Sequence, residues 1–517
     1  MWFTCVQLVQ LSWMSSIEFQ GVYILFVYGA LCALLGVQFS FLSVFLRDLR
    51  KLSALRILAA ASLWTVIEWS RLKFLCGFTW NPVGLSLTAW IQPLQFAAIW
   101  GVYGLSFWVM FVNLVAVKLF FASKENRKQW ATCWVGLALI PMLFGVWHLK
   151  RGCISGEKQI SAALVQTGLL PSQKVPLPGR YDEFISPLNQ WSEILRLLKN
   201  SKREHWDLVV LPEAVVPYPA TDAIYLYTAA LKRISQVLGE ESVLHQPPLI
   251  APYAQLRELH GEKVWCVTNA FWGQLISNHF SSEVIAGLDH HDLFCGKNYN
   301  AAFHFFPFQR EILRYDKRVL LPLAEYLPFS FLKKWTQNYG IVDFFTPGSE
   351  ALVTGERVPL SLSVCYEETF ADLMREGRKK GAELFVNVTN DSYYPNSRLP
   401  KQHFDHARLR AVENGIPLLR SANTGVTVAL DRFGQVVAQL GEGGRESEWI
   451  KGVLDVAFKI ETHRTLYSYW GDWGILVICV GFLLGFSIKK IMRMQKSLTQ
   501  RSCENELEEK ESDALPS

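Results

Sequence analysis

The chain has 517 residues, of which 50% are hydrophobic and 19% charged, and a formal net charge of +5. That length admits more than one folded unit, and the apolar share excludes a wholly soluble protein. The positive excess sits largely in short basic clusters beside apolar runs, so it gives no reason to expect a nucleic-acid partner.

Residues 1–148 are dominated by long uncharged runs, residues 149–470 have the mixed composition of a globular domain, and residues 474–488 are apolar again. About 20 apolar residues cross a hydrocarbon core, and six segments are candidates: 2–16, 20–46, 54–70, 93–121, 130–148 and 471–488. The expected plan is therefore an N-terminal transmembrane bundle over 1–148, a large domain over 149–470, a closing span over 471–488 and a disordered tail over 489–517. Basic residues crowd 47–56 (Arg47, Arg50, Lys51, Arg56), 124–128 (Lys124, Arg127, Lys128) and the stretch after Lys489. The positive-inside rule puts these three clusters in the cytoplasm, with both termini inside and the block 149–470 outside.

Within that block, apolar strands alternate with helical patterns. Strands are expected at 160–166, 208–211, 249–251, 360–364, 384–388, 418–421 and 426–430, and helices at 183–198, 223–238 and 402–413. The alternation indicates an α/β domain with well-buried strands. Asp431-Arg432-Phe433-Gly434 reads as a hairpin turn, and 273–297, which has no strong period, as a surface insertion. The four cysteines of the block, Cys153, Cys266, Cys295 and Cys365, contain no Cys-x-x-Cys pair and make no disulfide scaffold, although a Cys266–Cys295 bridge stays open. His290-His291-Asp292 lacks the helical spacing of a preformed ligand pair, so no metal or other cofactor is expected.

Three short stretches carry chemistry. Cys365 ends a strand-like run and precedes Tyr366-Glu367-Glu368, the start of an expected helix through Met374. A thiol at a helix start meets free backbone N–H groups, which favour the thiolate and can later hold an oxyanion. Glu213 follows the strand 208–211 and Pro212, at the end of a buried strand where a general base belongs. Lys317 stands in Arg314-Tyr315-Asp316-Lys317-Arg318, which taken alone is a surface charge run.

Glu213, Lys317 and Cys365, in that order and with those flanks, resemble the Glu-Lys-Cys triad of the nitrilase, or carbon-nitrogen hydrolase, superfamily. Tyr299-Asn300-Ala301, the run 321–328 (LPLAEYLP), Asn387-Val388-Thr389-Asn390-Asp391 and the run 402–425 add to the likeness. Gly77-Phe78-Thr79-Trp80-Asn81-Pro82-Val83-Gly84 and Gly101-Val102-Tyr103-Gly104-Leu105-Ser106-Phe107 are similar to the membrane half of the apolipoprotein N-acyltransferases. Two departures stand out. That family commonly has eight spans and has Trp-Phe-Gly where this chain has Tyr393-Tyr394-Pro395.

The resemblance implies an α-helical transmembrane bundle carrying a nitrilase-like αββα sandwich in the bacterial inner membrane, with the sandwich in the periplasm. It implies acyl transfer from a phospholipid, through a thioester on Cys365, to the N-terminal amine of a diacylglyceryl-modified apolipoprotein. Glu325, Tyr366 and Glu367 then fall on positions that support catalysis. The nearest alternative is a membrane-tethered amidase or nitrilase, in which water resolves the thioester. A transporter is disfavoured, because spans 20–46, 93–121, 130–148 and 474–488 have no midspan charge.

Overall fold

The computed structural model describes residues 1–46, 53–74, 76–150, 158–327, 344–442 and 446–513. Of the first basic cluster, Arg47, Arg50 and Lys51 lie outside the described residues; Arg56 donates to the carbonyl of Phe45 from Nη2 at 2.7 Å.

The first helix, α1 (Trp2–Gln10), has only nine residues and is followed by a 3-10 turn, Ser12–Ser15. At 1.5 Å per residue α1 reaches about 13 Å, less than half a hydrocarbon core. The span expected over 2–16 is thus not formed, because Gln7, Gln10 and Ser12 interrupt the apolar run. Gln7 and Gln10 instead accept hydrogen bonds from Asn81 Nδ2 at 2.6 and 3.1 Å. The turn after α1 rests on the polar domain: Trp13 Nε1 donates to Gln402 Oε1 at 3.0 Å, and Glu18 pairs with Arg180 at 3.3 Å.

Next come α2 (Tyr23–Phe45), α3 (Ala54–Ser70), α4 (Ala97–Phe120) and α5 (Lys124–Leu149). Four helical segments among the described residues are long and apolar enough to cross a membrane: Tyr23–Ser43, Ala97–Phe120, Lys124–Leu149 and Trp473–Arg501. Helix α3 has 17 residues and carries its small residues, Ala59, Ala60 and Ala61, fully buried, so neighbouring helices approach closely.

The polar domain begins with β1 (Gln159–Gln166), α6 (Pro187–Lys199) and β2 (Leu208–Leu211). A small outlying sheet of β3 (Tyr225–Leu226), β4 (Ala254–Leu259) and β5 (Glu262–Val267) brackets α7 (Tyr227–Leu238). Then follow α8 (Asn269–Phe280), β6 (Glu283–Asp292), β7 (Lys297–Phe305) and β8 (Ile312–Asp316). The second half adds β9 (Val353–Thr354), β10 (Leu360–Val364), α9 (Ala371–Lys379), β11 (Leu384–Thr389), α10 (Leu399–Asn414), β12 (Leu418–Ala422), β13 (Val428–Leu430) and β14 (Val436–Gln439). Strand β15 (Gly452–Lys459) returns to the first half, and α11 (Trp473–Asp513) closes the chain.

Two six-stranded sheets result, β15-β1-β2-β6-β7-β8 and β14-β13-β12-β11-β10-β9. Their facing sides bury Leu164, Val210, Leu362, Val386 and Leu419 in one shared core. The outer face of the first sheet packs on α6, α7 and α8, and that of the second on α9 and α10. The order helix, sheet, sheet, helix is the expected αββα sandwich. In each sheet the central strands run parallel, β1-β2-β6 and β10-β11-β12, so their carboxyl ends share an edge. Loops at that edge are free to carry functional groups while the strands below stay rigid.

Three further expectations differ. Residues 249–251 form a turn, and 273–297 is mostly the buried helix α8 and strand β6, whose burial on all sides erases any polar period. Helix α11 continues through Asp513 rather than giving way at 489 to a disordered tail, since the stretch is rich in helix-forming Lys, Gln, Leu and Glu.

The sandwich is locked to the bundle where α4 breaks. Gly101 there has φ +65°, and the Tyr467 ring occupies the space that a Cβ would fill. The freed N–H of Val102 donates to Glu413 Oε1 of α10 at 2.9 Å, and Trp470 Nε1 donates to the carbonyl of Ile99 at 2.7 Å. Glu413, fully buried, also pairs with Arg410 at 3.2 Å. Replacing Glu413 with Leu would leave a buried N–H and a guanidinium short of an acceptor, which costs about 1–3 kcal/mol for each unsatisfied group. The variant is expected to unfold several degrees lower in a thermal melt of the detergent-solubilised protein, and an unchanged melt would show the lock to be dispensable.

Candidate active site

Four carboxyl-terminal strand ends converge at the shared edge. Strand β2 leads through Pro212 to Glu213, β8 leads to Lys317, β10 to Cys365 and β11 to Asn390. The approach is close because of Gly287: a Cβ there would stand 2.5 Å from Glu213 Cα.

Lys317, 1% exposed, sits between two carboxylates, with Nζ 3.2 Å from Glu213 Oε1 and 2.7 Å from Glu325 Oε1. Asn300 Nδ2 donates to the same two oxygens, at 2.8 and 2.9 Å, and its carbonyl accepts from Lys317 N–H at 2.8 Å. Glu325 is fixed from behind by the N–H of Leu321 at 2.8 Å. Burial alone would lower the Lys317 ammonium, but Glu213 and then Glu325 raise it well above the ordinary lysine value.

Cys365 is 8% exposed and has φ +52°, a left-handed conformation that a side chain adopts only under constraint. It opens the 3-10 turn Cys365–Thr369, after which α9 starts separately, so the helix expected through Met374 is divided. The constraint comes from Glu367. Its Oε2 accepts from Val364 N–H at 2.8 Å and Tyr315 OH at 2.9 Å, while Oε1 accepts from Arg318 N–H at 2.6 Å and Val319 N–H at 3.2 Å. One buried carboxylate thereby ties the cysteine turn to the lysine strand. Burial and the neighbouring Glu213 push the Cys365 thiol above its ordinary range, and Lys317 opposes them.

Tyr366 joins the turn to the membrane bundle. Its OH donates to the carbonyl of Gly77 at 2.9 Å, and its ring stacks on Trp80 at 5.5 Å. The Thr369 and Thr79 hydroxyls are 2.5 Å apart. The apolar cluster around them joins Trp13, Cys32 and Leu35 of the N-terminal segments to Trp80, Tyr366 and Leu399. Tyr394, from the departing Tyr393-Tyr394-Pro395 segment, meets Trp13 edge-on at 5.0 Å.

All six residues singled out in the sequence, Glu213, Lys317, Glu325, Cys365, Tyr366 and Glu367, therefore occupy one edge. Sequence reasoning missed Asn300 as a site residue, since its part depends on β6–β7 pairing, in which it stands opposite Asp289. It also missed a buried network beneath the cysteine. Arg420 pairs with Glu368 and, at 2.9 Å, with Asp391, while His403 bridges Asp391 at 2.9 Å and Glu368 at 3.1 Å. Cys266 and Cys295 are both free, so no bridge joins them. His291 faces Asn298 across the β6–β7 pair.

A family profile described as carbon-nitrogen hydrolase matches residues 163–464, and one described as apolipoprotein N-acyltransferase N-terminal domain matches residues 1–115. The apolipoprotein N-acyltransferase of Chlamydia caviae is 32% identical over 508 residues, covering 94% of this chain and 88% of its own. That of Chlamydia pneumoniae is 30% identical over 494 residues, covering 92% and 84%. The crystal structure of Saccharomyces cerevisiae Nit3, a member of branch 10 of the nitrilase superfamily, covers 61% of this chain and 96% of its own at 18% identity and a TM-score of 0.37.

The backbone contact at Gly287 sets a prediction. Gly287→Ala forces Glu213 away from Lys317 and Asn300, and misplacement on the order of 1 Å costs about 100-fold in rate. The variant is expected to lose about that factor in catalytic rate; full activity would show that Glu213 needs no such placement.

Proposed function

The chain belongs to the apolipoprotein N-acyltransferase family, within the carbon-nitrogen hydrolase superfamily, and on that premise we propose a two-step acyl transfer through a thioester on Cys365. The observation that carries it is the Lys317 ammonium held between Glu213 and Glu325 beside a strained cysteine turn, with that turn bonded through Tyr366 to the membrane loop at Gly77.

In the first step Glu213 takes the thiol proton and the sulfur attacks an ester carbonyl of a phospholipid. The developing oxyanion is stabilised by the Lys317 ammonium and by backbone N–H groups that open the 3-10 turn, which lack partners within it. Collapse breaks the ester C–O bond, the departing alkoxide takes the proton back from Glu213, and lysophospholipid leaves. In the second step the N-terminal amine of a diacylglyceryl-modified apolipoprotein attacks the thioester carbonyl. Its proton passes to Glu213 or Glu325 and then to the sulfur, giving an amide and the free thiol.

We place the sandwich on the periplasmic side of the bacterial inner membrane and the stretch after Lys489 in the cytoplasm, from the positions of Lys124, Arg127, Lys128 and the basic residues of α11. Because α1 stops short and the turn after it touches Gln402 and Arg180, this reading keeps α1 on the sandwich side, in place of the cytoplasmic N-terminus first expected.

The decisive measurement uses labelled phospholipid without an acceptor. A transferase releases about one equivalent of lysophospholipid and stalls, the burst of covalent catalysis. A diacylated lipopeptide with a free amine then restarts turnover and takes the label, whereas an N-blocked peptide does not. Cys365→Ala is expected to abolish the labelled intermediate, and Cys266→Ala and Cys295→Ala to retain it. Steady release of labelled fatty acid without any amine would establish a hydrolase instead.

A further inference from the structure

Two carboxylate oxygens, Glu213 Oε1 and Glu325 Oε1, converge on the same two donors, Lys317 Nζ and Asn300 Nδ2, within 3.2 Å of each. Like charges that share one site drive one carboxyl to hold its proton. A protonated Glu213 cannot take a proton from Cys365. Lys317 Nζ is the one ammonium that pairs directly with the two carboxylates among the described residues.

A second ammonium is present. Lys174 ends the short helical turn Pro171–Lys174, is 5% exposed, and directs Nζ onto the backbone carbonyl of Glu213 at 3.4 Å. Gln190 holds its backbone by donating to the Lys174 carbonyl at 3.1 Å. Lys174 forms no ion pair among the described residues, so its charge is spent on the Glu213 segment and the groups near it. Those groups come from every element around the base: Asp289 on β6, Lys317 after β8, Glu325 in the loop beyond, Cys365 after β10, Tyr393 after β11 and Arg420 on β12. Burial lowers the Lys174 ammonium to about 8, with Glu213 and Asp289 opposing. It is thus charged near neutral pH. Burial, followed by Glu213, raises the Asp289 carboxyl to about 7.

We propose that Lys174 is a positioning residue of the acylation step: seated on the carbonyl of Glu213, its ammonium supplies the second positive charge that keeps Glu213 and Glu325 ionised together around Lys317. This rests on the acyl-transfer reading above, in which Glu213 must be ionised to activate Cys365. The sign follows directly. Removing a nearby cation favours the protonated carboxyl, so the acid side of the pH profile moves upward, while at high pH the carboxylates ionise without help.

The test is the pH dependence of the acylation burst, read with a p-nitrophenyl ester, which requires only an activated thiol, and in parallel with labelled phospholipid. In the full-length protein Lys174→Met is expected to raise the pH of half-maximal burst rate by about 1–2 units. Its loss of rate should be at least about tenfold larger at pH 6 than at pH 9. Lys174→Gln, which keeps a polar contact to the carbonyl without the charge, should give the same shift, and Lys174→Arg should restore the wild-type midpoint. A midpoint that stays put in both uncharged variants, or a loss equal at all pH values, would overturn the proposal and leave Lys174 a packing residue. A wild-type ester burst with no acyl-enzyme from phospholipid would instead reject the acyl donor, with the Lys174 result still readable from the ester.

Discussion

A lysine ammonium with almost no access to water must be surrounded by negative charge, and most of the site geometry follows from how this is done for Lys317. Withdrawing an ion from water costs several kcal/mol even after relaxation. The cost is offset here by two carboxylates and by the hydrogen bonds of Asn300 and Leu321 that hold them. Each partner stands on a different element, so the charges come together only when β2, β7, β8 and the loop carrying Glu325 are all in place. The cluster is therefore as much a consequence of the sandwich as a constraint upon it.

The second carboxylate centre works differently. Glu367 accepts four hydrogen bonds, three of them from backbone N–H groups, and so behaves as a brace between the cysteine turn and the segment after Lys317. A left-handed Cys365 persists because that brace and the Arg420–Glu368–Asp391–His403 network over-determine its backbone. The strained residue stands just beyond the end of β10, outside the sheet ladder.

The membrane bundle takes part in the site. Gly77, Thr79 and Trp80 contact the cysteine turn directly, and the break at Gly101 gives Glu413 a helix end to cap. Residues that in isolation read as helix packing and interfacial aromatics thus hold the cysteine turn against the apolar helices.

Much of this was legible in one dimension. Strand 208–211 is apolar at every position because both faces are covered, and Glu213 and Cys365 each follow an expected strand end, where chain order predicts a functional edge; the strand before Lys317 was not legible, because Arg314 and Asp316 make its run read as surface charge. The short first helix reflects Gln7, Gln10 and Ser12, polar residues within an otherwise apolar run. What sequence could not supply was partnership at long range. Asn300, Lys174, Arg420 and Glu413 act through groups between 3 and more than 300 positions away, and α8 lacks any amphipathic period because it is buried all round. Composition and periodicity report how each segment divides between water and apolar surroundings, and so they determined the layers, the membrane helices and the candidate chemistry. Which charges meet was decided only by tertiary structure, because the energy of a buried ion depends on distances that the order of residues along the chain does not contain.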